Sequence, residues 1–205
     1  MKRKIVVAST NPGKIAELKA MFGTDVQWLS LADFKGISEV KEDGHTFFEN
    51  ACKKAIGYAK ATGLWTIADD SGLVIDALEG GPGIESARFS RAKGKDRNII
   101  DHQNIAKVLK LLEGVPTEKR TARFVCCLCL ASPDEILIET KGTLEGLITE
   151  REIGENGFGY DPIFFVPDLN KTVAQLSREE KNAISHRGSA IRKLKPLLEQ
   201  LLKRG

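Results

Sequence analysis

Aromatic residues are scarce in this 205-residue chain, in which Phe, Trp and Tyr together make up 6%. A surface that binds single-stranded nucleic acid needs a basic stripe with interleaved aromatic side chains. The charges are also nearly balanced, with 31 Lys and Arg against 28 Asp and Glu and a formal net charge of +3. So small and evenly spread a charge does not by itself indicate a nucleic-acid-binding protein.

Long apolar runs are lacking as well, and no stretch approaches the roughly 18 apolar residues that a membrane helix needs. The basic start of the chain, followed by Ile5 to Ala8, has the order of charges found in a signal peptide. The apolar run is too short for one, and Asn11-Pro12-Gly13 ends it. We therefore expect a cytoplasmic protein.

The four cysteines do not favour a zinc site. Cys126, Cys127 and Cys129 share one apolar run, whereas Cys52 is distant in sequence. In a strand Cys126 would point away from the other two, and no second Cys/His pair follows at ligand spacing. Buried thiols in a core strand, in a reducing compartment, are the favoured interpretation.

The remaining composition, 41% hydrophobic and 29% charged, is that of one globular domain with its own core. Short apolar runs predict strands at 4–9, 26–31, 64–68, 121–131 and 163–166, with a long strand after 135 broken at Gly142 and Gly146. Helical spacing and end signals predict helices at 11–23, 46–63, 96–113, 177–185 and from 186 onward. T-x-x-E and S-x-x-E capping boxes are expected at Thr46 and Ser177. This pattern predicts an α/β fold with a long β-hairpin.

The segment Ser9-Thr10-Asn11-Pro12-Gly13-Lys14 combines a strand end, a glycine turn and a helix N-terminus with an early lysine. Free N–H groups and the helix dipole at such a point favour a phosphate. The spacing differs from that of a Walker A loop. A well-capped helix with a solvated lysine is an equally good interpretation.

The segment Asp69-Asp70-Ser71-Gly72 is predicted at a strand end or turn. Two carboxylates beside a buried strand need compensation, and Mg²⁺ prefers one or two carboxylates together with substrate phosphates. An Asp-rich turn is the alternative. Segment 38–44 supplies further acids, namely Glu39, Glu42 and Asp43.

Two further segments have features of a base-binding site. In 156–162, glycines flank Phe158, whose ring could stack on a base, and Asp161 could accept hydrogen bonds from a base edge. Lys181, His186 and Arg187 cluster near a helix start, where positive charge opposes the helix dipole. A glycine-rich turn with core aromatics and a solvated basic patch are the respective alternatives.

Six motifs occur in one order: S-T-N-P-G-K (9–14), T-F-F-E-N-A (46–51), A-D-D-S-G-L (68–73), P-G-I-E-S-A-R-F-S (82–90), G-F-G-Y-D-P-I-F (157–164) and E-K-N-A-I-S-H-R-G (180–188). In this order they resemble the bacterial type of the inosine triphosphate pyrophosphatase family, nearly end to end. The resemblance implies Mg²⁺-dependent hydrolysis of ITP, dITP and XTP to the monophosphate and pyrophosphate, which cleanses the nucleotide pool. It also implies one elongated mixed-sheet domain over 1–205, with two lobes, helices around a central cleft, and a homodimer.

The resemblance also assigns roles. Asp70 would be the general base and a metal ligand, and Asp69 and Glu42 would assist at the metal. Some relatives carry two adjacent acids where this chain has Lys41-Glu42, so Glu39 is an alternative ligand. The substrate would contact Ser9, Thr10, Asn11, Pro12, Gly13, Lys14, Lys54 and Ser71. Phe158 would stack on the purine, with Gly159, Tyr160 and Asp161 lining the pocket, and the base would be recognised by Lys181, His186 and Arg187.

Two other functions compete with this one. A pyrophosphatase for modified pyrimidine or methylated nucleotides would share the phosphate end and differ at the base. A non-catalytic nucleotide- or RNA-binding module would not need Asp69-Asp70. Mg²⁺-dependent pyrophosphate release distinguishes an enzyme from such a module.

Overall fold

The computed structural model describes residues 2–9, 26–92, 94 and 96–204. The predicted helix at 11–23 lies outside them, and so do Thr10, Asn11, Pro12, Gly13 and Lys14. None of the helices in the described part of the chain has the length and apolar character needed to cross a membrane.

A mixed sheet of seven strands forms the framework, in the order β2-β1-β3-β4-β5-β6-β7. β1 pairs in parallel with both β2 and β3, whereas β6 pairs antiparallel with β5 and β7. The strands are β1 Lys4–Val7, β2 Gln27–Ser30, β3 Trp65–Ile75, β4 Thr121–Ala131, β5 Ile136–Ile148, β6 Phe164–Val166 and β7 Lys171–Thr172. The α-helices of the described residues are α1 Phe47–Thr62, α2 Arg97–Leu111, α3 Arg178–Ile184 and α4 His186–Arg204. The predicted α/β class is confirmed.

The chain divides into two compact units. Unit 1 comprises Met1–Asp70, Cys126–Gly142 and His186–Gly205. In its core the apolar side of α4 packs against alternate residues of β4, because every second side chain of a strand points to the same face. The buried members of this core include Ile5, Val7, Ile67, Cys126, Leu128, Leu130, Ile191, Leu194 and Leu198.

Unit 2 comprises Ser71–Val125 and Thr143–Ser185. Its core is built around α2 and includes the stacked rings of Phe124 and Phe164, whose centroids are 4.3 Å apart. Other buried members are Leu73, Ile75, Ile105, Val108, Leu112, Tyr160 and Ile163. The lobes and cleft implied by the resemblance stay a prediction.

The prediction that Asp69-Asp70-Ser71-Gly72 forms a strand end or turn was wrong. These residues lie inside β3, which continues from Trp65 to Ile75. The turn-forming character of Asp, Ser and Gly is outweighed because the extended backbone is paired within the sheet and both carboxylates have protein partners.

The predicted break of the second long strand was also wrong, since β5 runs without interruption from Ile136 to Ile148. Its two glycines accommodate close neighbours instead of ending the strand. A Cβ at Gly142 would overlap the carbonyl oxygen of His186, and one at Gly146 would overlap that of Phe165.

The predicted capping boxes at helix N-termini agree better with the structure. At Ser177, the hydroxyl accepts from Glu180 N at 3.1 Å and Glu180 accepts from Ser177 N at 2.7 Å, which confirms that capping box. At Thr46 the box is half-formed: its hydroxyl accepts from Glu49 N, but the Glu49 carboxylate accepts from His45 N.

Candidate functional site

Asn50 fixes the carboxylate of Asp70. Asn50 lies on the buried side of α1, and its Nδ2 donates to Asp70 Oδ2 at 3.0 Å. Its Oδ1 accepts from Gly44 N at 2.8 Å. Because both ends of the amide are engaged, Asn50 can hold the carboxylate in one orientation.

Asp69 has a different partner, because consecutive side chains of a strand point to opposite faces. Arg187, the second residue of α4, donates from a terminal nitrogen to Asp69 Oδ2 at 3.3 Å. Both side chains are 1% exposed. Leaving either charge alone at such burial would be costly, so each residue stabilises the other.

Lys54 lies one turn after Asn50, and its ammonium is 3.3 Å from Glu42 Oε1. Burial lowers the pKa of Lys54, but the nearby carboxylates of Asp69, Glu42 and Asp70 raise it more, so the pKa lies above its usual value. The side chain is therefore charged at neutral pH. A buried cation is thus held among three acids predicted at the site.

The acids of segment 38–44 differ in their surroundings. Asp43 is exposed and pairs with Lys53 at 2.9 Å and Lys41 at 3.2 Å. Hydrogen bonds from these two lysines lower its pKa to about 2. Glu39 is exposed, whereas Glu42 is half-buried against Lys54. These surroundings favour Glu42 over Glu39 as the acid at the site.

Glu42 and Asp70 offer carboxylate oxygens, which suit a hard cation such as Mg²⁺, whereas Asp69 points to the other face of β3 and is held by Arg187. A closed cage is not required, because Mg²⁺ is commonly held by one or two carboxylates, water and substrate phosphates. The residues therefore fit an ion that the substrate helps to bind.

Ser9 follows β1 in unit 1, and Ser71 lies inside β3 as the first residue of unit 2. In the parallel pairing of β1 with β3, Val7 is opposite Ile67, and Ser9 and Asp69 each come two residues later in the chain. Ser71 directly follows Asp70, and both serines are half-buried. Their predicted contacts with substrate stay predictions.

A second group of predicted residues lies in unit 2, around the carboxylate of Asp161. Its Oδ2 accepts from Lys181 Nζ at 2.6 Å and from Phe158 N at 2.9 Å. The Lys181 ammonium is 4.3 Å from the centroid of the Phe158 ring. Gly157 has a φ of +84°, and a Cβ there would overlap the Asp161 carboxylate, so glycine is required. The structure thus brings together Phe158, Asp161 and Lys181.

Two residues that the sequence analysis did not single out support this group. Asp101 of α2 accepts from Gly159 N at 2.8 Å. The carbonyl of Ser86 accepts from Tyr160 Oη at 2.8 Å, and burial raises the pKa of Tyr160, so that the hydroxyl stays protonated. Asp101 was detectable, because it precedes Ile105, Val108 and Leu112 on the apolar stripe of α2.

His186 and Arg187 begin α4, as predicted, and both are buried, which argues against the alternative of a solvated basic patch. Arg187 was predicted to recognise the base, and its contact with Asp69 gives it a further role in unit 1. The base-recognition role of both residues stays a prediction.

Comparisons of the sequence and of the fold with known proteins indicate the same family. A profile described as the Ham1 family matches residues 5–197. A "dITP/XTP pyrophosphatase" of Desulforamulus reducens is 47% identical over 97% of this chain and 96% of its own length. One of Shouchella clausii is 50% identical over 96% of each chain. The structure of the Staphylococcus aureus Ham1 protein superposes with a TM-score of 0.85 at 45% identity, covering 97% of this chain and 99% of the other. The chain therefore belongs to the Ham1 family.

Proposed function

We propose that this protein hydrolyses ITP, XTP and dITP to the nucleoside monophosphate and pyrophosphate. The observation that carries the proposal is the group in unit 1, where Asn50 orients the Asp70 carboxylate beside Lys54 and Glu42. An oriented carboxylate, a buried ammonium and further acids are the parts that metal-assisted triphosphate hydrolysis needs. Relatives named dITP/XTP pyrophosphatase, similar over nearly their whole length, support the substrate class.

Asp70 and Glu42 are the ligands that would hold Mg²⁺, with Asp69 as a predicted third acid. When bound, this ion neutralises phosphate charge and withdraws electrons from phosphorus. The ammonium of Lys54 adds a fixed positive charge, which favours binding of the triphosphate and of the charge that develops on its oxygens.

Asp70 acts as the general base in this proposal. Its carboxylate accepts a proton from a water molecule, whose oxygen then forms a bond to the α-phosphorus. The bond between this phosphorus and the bridging oxygen to the β-phosphate breaks, and pyrophosphate leaves with the electron pair. The Asn50 amide keeps the accepting oxygens in place, which matters because proton transfer requires hydrogen-bond distance.

At the base, the ring of Phe158 stacks on the purine and donors accommodate its 6-oxo group. Lys181 carries such donors, and the Asp161 contact holds them near the ring. An adenine amine at that place would leave a buried donor unpaired, which costs on the order of 1–3 kcal/mol, roughly a 5- to 150-fold preference. Guanine also has a 6-oxo group, so its rejection must depend on the 2-amino group.

The test is a substrate panel of ITP, XTP, dITP, ATP, GTP and dTTP, with and without Mg²⁺. We expect Mg²⁺-dependent release of pyrophosphate from ITP, XTP and dITP. The Asp70→Asn variant should release none. Asp43→Asn is the matched control, because Asp43 is exposed and pairs only with the surface lysines Lys41 and Lys53 in the contacts above. A preference for dTTP would favour the pyrimidine alternative, and an inactive wild-type protein would refute the proposal.

A homodimer and a cytoplasmic location complete the proposal. None of the four cysteines, all of which the structure describes, is joined in a disulfide, which agrees with a reducing compartment. Sedimentation equilibrium of the purified chain tests the oligomeric state, and the mass of a monomer at all concentrations would refute the dimer.

A further inference from the structure

Three side chains with ligand atoms suited to a metal meet in a group that includes none of Glu42, Asp69 and Asp70. They are Cys52 of α1, Cys129 of β4 and Glu139 of β5, all in unit 1. The sulfur atoms of the two cysteines and one carboxylate oxygen of Glu139 all lie within 4.8 Å of one another. The Cys52 thiol already donates to Glu139 Oε1 at 2.9 Å.

The fold explains why this group was not evident in the sequence. Counting cysteines along β4 suggested that no further ligand is near, because Cys52 is far from Cys129 in sequence. Alternation along β4 places Cys126 in the core beside α4. Cys129 therefore faces the other way, where Cys52 approaches from α1 and Glu139 from the neighbouring strand.

We propose that Cys52, Cys129 and Glu139 bind a thiophilic divalent cation, Zn²⁺, with water as the fourth ligand. Sulfur lies at about 2.3 Å and carboxylate oxygen at about 2.0–2.2 Å from Zn²⁺. Tetrahedral ligands at those distances are roughly 3.4–3.8 Å apart, inside the 4.8 Å limit that the group already meets. Glu139 is exposed and Cys52 is half-buried, so solvent can supply the water ligand.

Without a metal ion, the surroundings of Cys52 keep its thiol protonated, so an ion that binds here has to displace protons. Cys129, burial and the Glu139 carboxylate raise the pKa of the Cys52 thiol, because a thiolate there would lie beside another sulfur and a carboxylate. A divalent cation reverses this preference. Each of the two thiols loses its proton to solvent as its Zn–S bond forms, so two protons are released for each ion bound.

Zn²⁺ at this place would tie α1 to β4 and β5. A ligand that binds only the folded protein raises its stability. The ion is separate from the Mg²⁺ proposed at Glu42 and Asp70, because thiolates select soft ions and an all-oxygen set selects hard ones.

The experiment titrates the full chain, kept reduced with a phosphine, with Co²⁺ as a coloured substitute for Zn²⁺. We expect one ion per chain, a sulfur-to-cobalt charge-transfer band, the visible bands of tetrahedral Co²⁺, and loss of these signals when Zn²⁺ is added. Cys52→Ala should abolish the charge-transfer band, and Glu139→Gln should weaken binding at least about tenfold.

Cys127→Ala is the matched control, since Cys127 is on the same strand and outside the group of three. It should bind Co²⁺ like the wild type. Glu139 is exposed, so Glu139→Gln keeps the test valid even if a cysteine variant fails to fold. The proposal is overturned if the wild type gives no charge-transfer band, or if the folded Cys52→Ala variant gives the same band. This readout does not depend on nucleotide hydrolysis, so it fails or succeeds separately from the proposed function.

Discussion

Replacing Arg187 with Met should destabilise the protein strongly, because it leaves the Asp69 carboxylate buried without its guanidinium partner. The two side chains are 1% exposed and 3.3 Å apart. Removing one member of a buried ion pair typically costs about 3–5 kcal/mol. For a domain of this size each kcal/mol shifts Tm by roughly 2–4 °C, so Tm should fall by roughly 6–20 °C.

The assay is thermal and urea unfolding of the wild type, Arg187→Met, Asp69→Asn and the double variant. The double variant should be more stable than the sum of the two single losses predicts, since neither charge is then left alone. Lys195→Met is the control, because Lys195 is an exposed residue of the same helix and its removal should cost less than about 0.5 kcal/mol.

A loss below about 1 kcal/mol in Arg187→Met, the range of an exposed ion pair, would refute this reasoning. So would simple additivity in the double variant, because it would mean that the two charges do not interact.

Three further predictions each concern one side chain. Asn50→Ala removes the amide that donates to Asp70 Oδ2, and kcat for ITP should fall by about 10²-fold with an unchanged circular dichroism spectrum. Turnover at the wild-type rate would contradict the positioning role. Tyr160→Phe loses the hydrogen bond to the Ser86 carbonyl and should lower the free energy of unfolding by about 1–2 kcal/mol, measured in urea, whereas an unaltered midpoint would count against that bond. Burial raises the pKa of Cys127 from 9.0 to about 12, so the folded protein keeps this proton where the unfolded chain loses it. The Cys127 thiol should therefore resist alkylation at pH 8, and rapid labelling of the native protein, seen by mass spectrometry, would disprove this protection. Its contribution to the free energy of unfolding should decline as the pH rises from about 9 to about 12.

Local signals in the sequence predicted local structure well. The Ser177 capping box and the bounds of β4 depend on neighbouring residues, and both are as predicted. The interior of β3 was predicted wrongly for the opposite reason. Asp69 and Asp70 favour a turn, and their place in a buried strand depends on Arg187, 118 residues later, and on Asn50, 20 residues earlier.

The same limit applies to the functional residues. The motifs identified four functional residues, and each has a defined partner in the structure: Asp70, Phe158, Asp161 and Lys181. Sequence spacing alone did not reveal how α1 brings Cys52 to Glu139, 87 residues away. Contacts of that separation follow from strand order and from which face each residue occupies, and neither is visible in a single sequence.

The most direct test of the central claim is the identity of the products formed from ITP with Mg²⁺, separated by ion-exchange chromatography. Attack at the α-phosphorus predicts inosine monophosphate and pyrophosphate in equal amounts from the wild type, and neither product from Asp70→Asn. Inosine diphosphate with orthophosphate would place the attack at the terminal phosphorus and contradict the account, as would full activity of Asp70→Asn.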